Sequence, residues 1–366
     1  MDSPSKIAVL GLWHLGETYS AGLAEVGHDV VGIDEDEELI ENFSKNTPPL
    51  AELRLAEMIT ANRAAGRLSY ATDFAKIKGR NVLWIAFDTP VNDADEVDVR
   101  GIYRALEKAA PYLESGALVV VSSQLPVGTS RKIEALLRER RPDLAFDYAY
   151  TPENLRLGDA VKCFLEPGRI VVGADAPGDL EKVKTIFSPL QADIVPMSVA
   201  SAEMAKHALN AFLATSISFT NDLADVCEKT GADIEDVIKA LKTDPRIGPK
   251  AYLFAGLGFS GGTLGRDLKA LMAVAEEEKL ALPVISGVFL KNRSRNAIVA
   301  ERLKREFGEI NGKTMVLFGV TYKPGTSTLR RSQPLEIEKE LRALGVAVRL
   351  YDPLAKPDEV AQITPS

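Results

Sequence analysis

Ile7-Ala-Val-Leu-Gly-Leu-Trp-His-Leu-Gly16, followed after a helical stretch by Gly27-His-Asp-Val-Val-Gly-Ile-Asp34, decides the fold of this chain. Ile7–Leu10 is a short apolar run that stops at Gly11. Apolar residues then recur at helical spacing from about Leu15 to Val26, and the second quoted segment reads as a strand ending in an acid. Strand, glycine turn, helix, strand, acid is the order of the βαβ unit that binds a dinucleotide. Gly11 to Gly16 aligns with G-x-G-x-x-G, except that Trp13 stands at the second glycine. That glycine normally lets a pyrophosphate approach the backbone at the helix N-terminus, where unpaired N–H groups and the helix dipole favour anions. An indole there has to point away or shift the ligand. The turn residues Gly11, Leu12, Trp13, His14, Leu15 and Gly16, with Asp34, are therefore the cofactor candidates. An acid at Asp34 suits the adenosine ribose of NAD and would repel the 2′-phosphate of NADP.

Further buried strands are read at Val82–Ala86, Leu118–Val121 and Ile170–Val172, each separated from the next by helical or loop sequence. Alternation of this kind implies an α/β protein with a doubly wound parallel sheet, a Rossmann-like N-terminal domain over residues 1–197. From 198 to 306 the strands disappear. Ala202–Glu228, Ile234–Leu241, Leu268–Glu278 and Ile285–Phe307 read as helices, a central all-α region suited to dimerisation. Residues 307–366 hold one further βαβ: a strand at Thr314–Gly319, a helix at Pro334–Leu344 and a strand at Ala347–Tyr351. Two parallel strands leave an open edge and unburied apolar surface, so this third domain reads as a partial Rossmann-like one.

The bulk numbers agree with several domains, since one core rarely grows beyond ~250–300 residues and the chain has 366. A net charge of −8 argues against a sequence-independent nucleic-acid binder. Two cysteines, Cys163 and Cys227, imply no disulfide framework and point to a reducing cytoplasm. No signal peptide and no membrane-spanning run are read.

Chemistry concentrates in later segments. Tyr252-Leu-Phe-Ala-Gly-Leu-Gly-Phe-Ser-Gly-Gly-Thr-Leu-Gly-Arg-Asp267 is a glycine-rich loop running into a helix, with Thr263 where the loop ends. Phe87-Asp-Thr-Pro90 follows a strand, as does Ser122-Ser-Gln-Leu-Pro-Val-Gly128. Thr151-Pro-Glu-Asn-Leu-Arg-Leu-Gly158, Glu203-Met-Ala-Lys-His-Ala-Leu-Asn210, Asp244-Pro-Arg-Ile-Gly248 and Thr321-Tyr-Lys-Pro-Gly-Thr-Ser-Thr-Leu-Arg-Arg-Ser332 complete the set. Lys206 and Asn210 are four apart and share one helix face.

Taken in order, these segments resemble the UDP-glucose/GDP-mannose dehydrogenase family over most of the chain. The resemblance implies an NAD-dependent oxidoreductase acting on a nucleotide sugar, working as a homodimer. It implies that Thr89, Gln124 and Arg330 lie on the cofactor side. It implies that Glu153, Lys206, Asn210, Thr263 and Asp267 surround the reacting carbon, and that Arg246, Tyr252, Gly258 and Lys323 hold the sugar nucleotide, Arg246 from the other subunit. Three positions depart from the family pattern. The catalytic cysteine is Thr263, the second glutamate is Leu157, and the water-holding threonine is Gln124. A thiol of pKa ~8.5 ionises readily at a helix N-terminus, whereas an alkyl hydroxyl needs an adjacent general base. Cys227 reads as a core residue, and Cys163 is poorly placed to replace the missing nucleophile. The expectation is that the second of the family's two oxidations is lost, while sugar-nucleotide binding and one hydride transfer survive. A catalytically silent nucleotide-binding relative, a 3-hydroxyacid-type dehydrogenase with a similar lysine and asparagine, and epimerisation with NAD regenerated are the competing readings.

Overall fold

A computed structural model describes residues 4–50, 52–89, 97–260, 262–322, 327–329 and 331–364. The chain divides into two compact units between Lys206 and His207.

The first unit is an eight-stranded sheet with helices on both faces. In chain order its elements are β1 (Lys6–Leu10), α1 (His14–Glu25), β2 (Asp29–Ile33), α2 (Glu37–Ser44), α3 (Leu55–Ala64), β3 (Leu68–Ala71) and β4 (Val82–Ile85). They continue as α4 (Arg100–Ala109), β5 (Ala117–Val121), α5 (Thr129–Arg140), β6 (Phe146–Tyr150), α6 (Ala160–Leu165), β7 (Ile170–Gly173), α7 (Pro177–Phe187) and β8 (Ile194–Met197). The strand order is β3-β2-β1-β4-β5-β6-β7-β8. Each pairing is parallel except β6 with β7, which meet antiparallel at Tyr150 and Gly173. Central strands covered on both faces must be apolar at every position, and alternate residues of β1 enter opposite cores. Ile7 and Val9 join one apolar cluster, Ala8 and Leu10 the other. Chain order reverses between β1 and β4, which opens a crevice at their carboxyl ends, the usual ligand position in such sheets.

Three strands lie outside the sequence expectation. β3 and β8 are the terminal strands of the sheet, and β8 carries Pro196, which an edge strand tolerates. β6 is interior but opens with half-buried Phe146 and Asp147, which breaks its apolar run.

The second unit continues the helix α8 (Val199–Thr230) into α9 (Ile234–Thr243), α10 (Thr263–Glu277), α11 (Pro283–Ser294) and α12 (Ala297–Phe307). A two-stranded parallel sheet of β9 (Thr314–Phe318) and β10 (Ala347–Tyr351) follows, with α13 (Gln333–Ala343) between the strands and α14 (Pro357–Ile363) after them. The helix expected at Ile285–Phe307 is two helices. Apolar spacing runs through the break, but the Arg295 N–H bonds back three residues to the Asn292 carbonyl, a tightened last turn. The buried Arg295 guanidinium donates to Asp225 and to the Gly256 carbonyl, both at 2.6 Å, which fixes the chain where α11 ends. On the small sheet Phe318 is 77% exposed, with Val316 and Tyr351 also open, the uncovered apolar face expected of a two-stranded unit.

Gly16 seals the first turn of α1 against the strand it leaves. A Cβ there would sit 1.6 Å from the Gly11 carbonyl oxygen and 3.3 Å from that of Ala86, both backbone atoms that cannot rotate away. Gly16→Ala is expected to destabilise the first unit by ~3 kcal/mol or more, read as a fall in urea midpoint.

Candidate functional site

At the crevice, α1 begins without a side-chain cap of its own. Its first turn is held by acids from elsewhere. The Leu12 N–H donates to Asp34 Oδ2 at 2.8 Å, and the other Asp34 oxygen accepts from Asp36 N at 3.1 Å. The Leu15 N–H, one of the unpaired donors of the helix start, donates to Asp88 Oδ2 at 3.0 Å. Trp13 is 51% exposed, so its indole leaves the turn toward solvent. His14 Nε2 lies 3.0 Å from Glu52 Oε1, and buried Glu52 also accepts from Gly158 N at 2.6 Å and Ala160 N at 3.0 Å. This carboxylate therefore ties the start of α1 to the start of α6. The turn suits a pyrophosphate: it already holds an anion, its own Asp88, on a helix N-terminal N–H.

Glu17, one turn into α1, is fully buried, and its carboxyl group is only weakly compensated, by the nearby Leu50 backbone N–H. Burial, with Glu52 and Asp88 nearby, pushes its carboxyl up to about 9. The group is neutral at pH 7.

At the ends of the neighbouring strands, Thr89 Oγ1 donates to the carbonyl of buried Gln124 at 3.0 Å, so these two sequence candidates do meet. Glu203 on α8 is buried and accepts from Gly128 N at 2.6 Å and Ser130 N at 2.8 Å, which caps α5. One turn on, the Lys206 ammonium donates to the Glu153 carbonyl at 2.7 Å and to its carboxylate at 2.9 Å. Leu157 faces solvent. Cys163 lines a small pocket with Tyr19, Thr151 and Phe164.

In the second unit, Asp267 is fully buried. It lies 3.1 Å from His207 Nδ1, accepts from Asn210 Nδ2, and has Arg266 Nε at 3.9 Å. Asn210 and Asp267 are thus brought together, with His207 added. Thr263 is the first residue of α10 and is exposed, and among the described residues no hydrogen bond reaches its hydroxyl. The glycine-rich loop before it is held by side-chain amides. Asn292 accepts from Phe259 N at 2.8 Å and donates to Phe259 O at 2.9 Å, while Asn221 accepts from Gly256 N at 2.9 Å. Gly258 has φ +100, and a Cβ there would meet Asn292 Oδ1 at 2.4 Å, so the loop closes on Asn292 only with glycine. Tyr252 is exposed and meets Phe254 edge-on. Arg246 is exposed and paired with Asp244 at 2.7 Å. Cys227 is buried, as expected of a core residue. Lys323 and Arg330 lie outside the described residues.

Sequence reasoning did not single out Glu52, Asp88, Glu203, His207, Asn221 or Asn292. Glu203, His207 and Asp88 all stand inside quoted motifs. For Asp88 the signal available was an acid just after a strand end. The N–H partners of Asp88, Glu203 and Glu52, 73 to 108 residues away in the chain, were not readable.

Three family domains match in order. The UDP-glucose/GDP-mannose dehydrogenase family's NAD binding domain covers residues 5–191, its central domain 200–294 and its UDP binding domain 316–365. The chain belongs to this family. Its members are NAD-dependent dehydrogenases of nucleotide sugars, and NAD is the cofactor. Among similar proteins, the UDP-glucose 6-dehydrogenase YwqF of Bacillus subtilis is 33% identical over 351 residues, covering 95% of this chain and 80% of that protein. The UDP-glucose 6-dehydrogenase of Rhizobium meliloti is 33% identical over 356 residues, with 95% and 81% covered. A solved UDP-glucose dehydrogenase from Pyrobaculum islandicum aligns with TM-score 0.90 at 28% identity, covering 100% of this chain and 85% of that one. Among the described residues no helix is long and apolar enough to cross a membrane.

The buried Glu17 has a consequence for stability. The folded state keeps its proton up to about pH 9, whereas an unfolded glutamate releases it near 4.5. The folded chain therefore binds more protons across that window, and stability falls as pH rises through it. Glu17→Leu is expected to raise stability at pH 8 by on the order of a few kcal/mol, with the gain shrinking as pH approaches 4.5. Urea titrations of both proteins across pH 5–8.5 read this directly.

Proposed function

We propose that this chain oxidises the primary alcohol of a nucleotide sugar, with UDP-glucose the first substrate to try, by a single hydride transfer. The observation that carries the reading is Thr263, an unassisted hydroxyl at the exposed start of α10. A second oxidation requires a tetrahedral adduct on the aldehyde, and this position offers no thiolate to form one. His207 and Asn210 already engage Asp267, so the nearby carboxylate serves the interior of its own unit.

The first oxidation asks less. NAD, when bound, supplies the hydride acceptor. Lys206 uses two of its three N–H donors on Glu153 and has a third for the sugar oxygen, where its charge stabilises the alkoxide that precedes hydride loss. Asn210 follows one turn later on the same face of α8, with one amide proton and its carbonyl oxygen beyond the Asp267 contact. Gly11 to Gly16, Asp34, Thr89 and Gln124 are assigned to the cofactor side, and Arg246, Tyr252, Gly258, Lys323 and Arg330 keep the roles that family resemblance implies.

We further assign three domains, 1–197, 198–306 and 307–366, to a cytoplasmic homodimer. Phe212, Phe219 and Val226 support the dimer. They recur every seven residues along α8 and are all exposed, an apolar stripe suited to a second helix.

With UDP-glucose and NAD, the expected yield is one NADH per sugar and an aldehyde product. Two NADH and a uronate would sink the proposal. Thr263→Cys alone is expected to leave that ratio at one, because Leu157 and Gln124 still stand in place of the family's hydrolytic residues. Phe219→Asp is expected to shift sedimentation from dimer to monomer; an unchanged sedimentation coefficient would remove the α8 stripe from the interface.

A further inference from the structure

The helices α1, α5 and α6 each receive, at their N-termini, a carboxylate at least 73 residues away in the chain. Glu203 caps α5 and Glu52 caps α6, and both are buried. Asp88 differs in two ways. It is exposed, so a ligand can reach it, and the N–H it binds, that of Leu15, belongs to the first turn after the glycine-rich loop. In a dinucleotide fold the pyrophosphate takes that turn. Asp88 itself sits just beyond β4, at the crevice where the strand order reverses. A carboxyl group of the chain therefore already occupies the N–H that an incoming anion has to take.

We propose that Asp88 is an internal competitor for the pyrophosphate of NAD and sets the affinity of this chain for its cofactor. Two like-charged groups cannot share one N–H donor, so binding requires the Asp88 carboxylate to swing off Leu15 and then repels what replaces it. The surroundings give the displaced carboxylate little relief. Partial burial and the nearby Glu153 carboxylate hold the Asp88 carboxyl above its usual range, while the Leu15 N–H and His14 act in the opposite direction. Arg100 and Arg104 share a pocket with Asp88, but Arg100 is already paired with Asp98 at 2.6 Å, which leaves Arg104 as the cation toward which the carboxylate can turn. The inference rests on the dinucleotide-binding turn alone and is independent of how many hydrides are transferred.

The test is calorimetric titration of the full chain with NAD, ADP-ribose and adenosine. Asp88→Asn keeps the shape and removes the charge, and Asp88→Gly removes the side chain. Both are expected to bind NAD and ADP-ribose about tenfold or more tightly than the parent, with a weaker dependence on salt. Adenosine, which has no pyrophosphate, is expected to bind all three proteins alike. A second measurement, quenching of Trp13 fluorescence against the buried Trp84 background, reports the same turn without calorimetry. Unchanged or weaker NAD binding by both variants overturns the proposal. So does an equal gain for adenosine, which would mean that the substitution loosened the fold generally. Failure of both variants to bind NAD at all overturns it too, because freeing the turn should then have restored binding.

Discussion

Unpaired N–H groups at the starts of α1, α5 and α6, collected along the carboxyl edge of the parallel strands β1 to β6, are the constraint around which the first unit is built. A parallel sheet delivers every following helix with its N-terminus at the carboxyl edge of the strands, so partial positive charge accumulates there. In this chain Asp88 accepts from α1, Glu203 from α5 and Glu52 from α6. Each of these bonds is charge-assisted and each joins distant segments. The edge that in this fold receives an anionic ligand is thus partly neutralised from within. A ligand has to compete for it rather than simply arrive.

The second unit solves a different problem with neutral groups. A loop rich in glycine has too few side chains to hold itself, and its backbone polar groups need partners. Asn221, Asn292 and the buried Arg295 supply them, two carboxamides and a guanidinium reaching in from helices. The loop is consequently presented in a fixed shape although it has no regular structure. Asp267 is held in the same manner by His207 and Asn210, so the start of α10 is anchored and Thr263 is carried outward on it.

Much of this was legible in the order of residues. The βαβ at Ile7–Asp34, the loss of strands after Ser198, the long helix through Lys206 and Asn210, and the glycine loop all follow from local pattern, and local pattern is what sets strands, turns and helices. The break between α11 and α12 was not legible, because apolar spacing continues across it while a buried arginine ends the first helix. Nor were β3 and β8, whose edge positions free them from the apolar composition of central strands. Nothing in the residues next to Glu52 or Asp88 marks either one out. Their meaning lies in the N–H groups they meet, and those belong to other turns of the chain.

By itself, then, the amino-acid order determined the class of fold, the family and the chemical inventory: a dinucleotide turn with an indole in it, a lysine and an asparagine one helical turn apart, and a hydroxyl where sulfur is expected. Tertiary structure alone decided how that inventory is committed. It gave Lys206 to Glu153, Asp267 to His207 and Asn210, and Leu15 to Asp88. The physical reason is that a side chain's charge and reach are properties of its own residue, whereas the partner that uses them is chosen by which distant backbone the fold brings within about 3 Å.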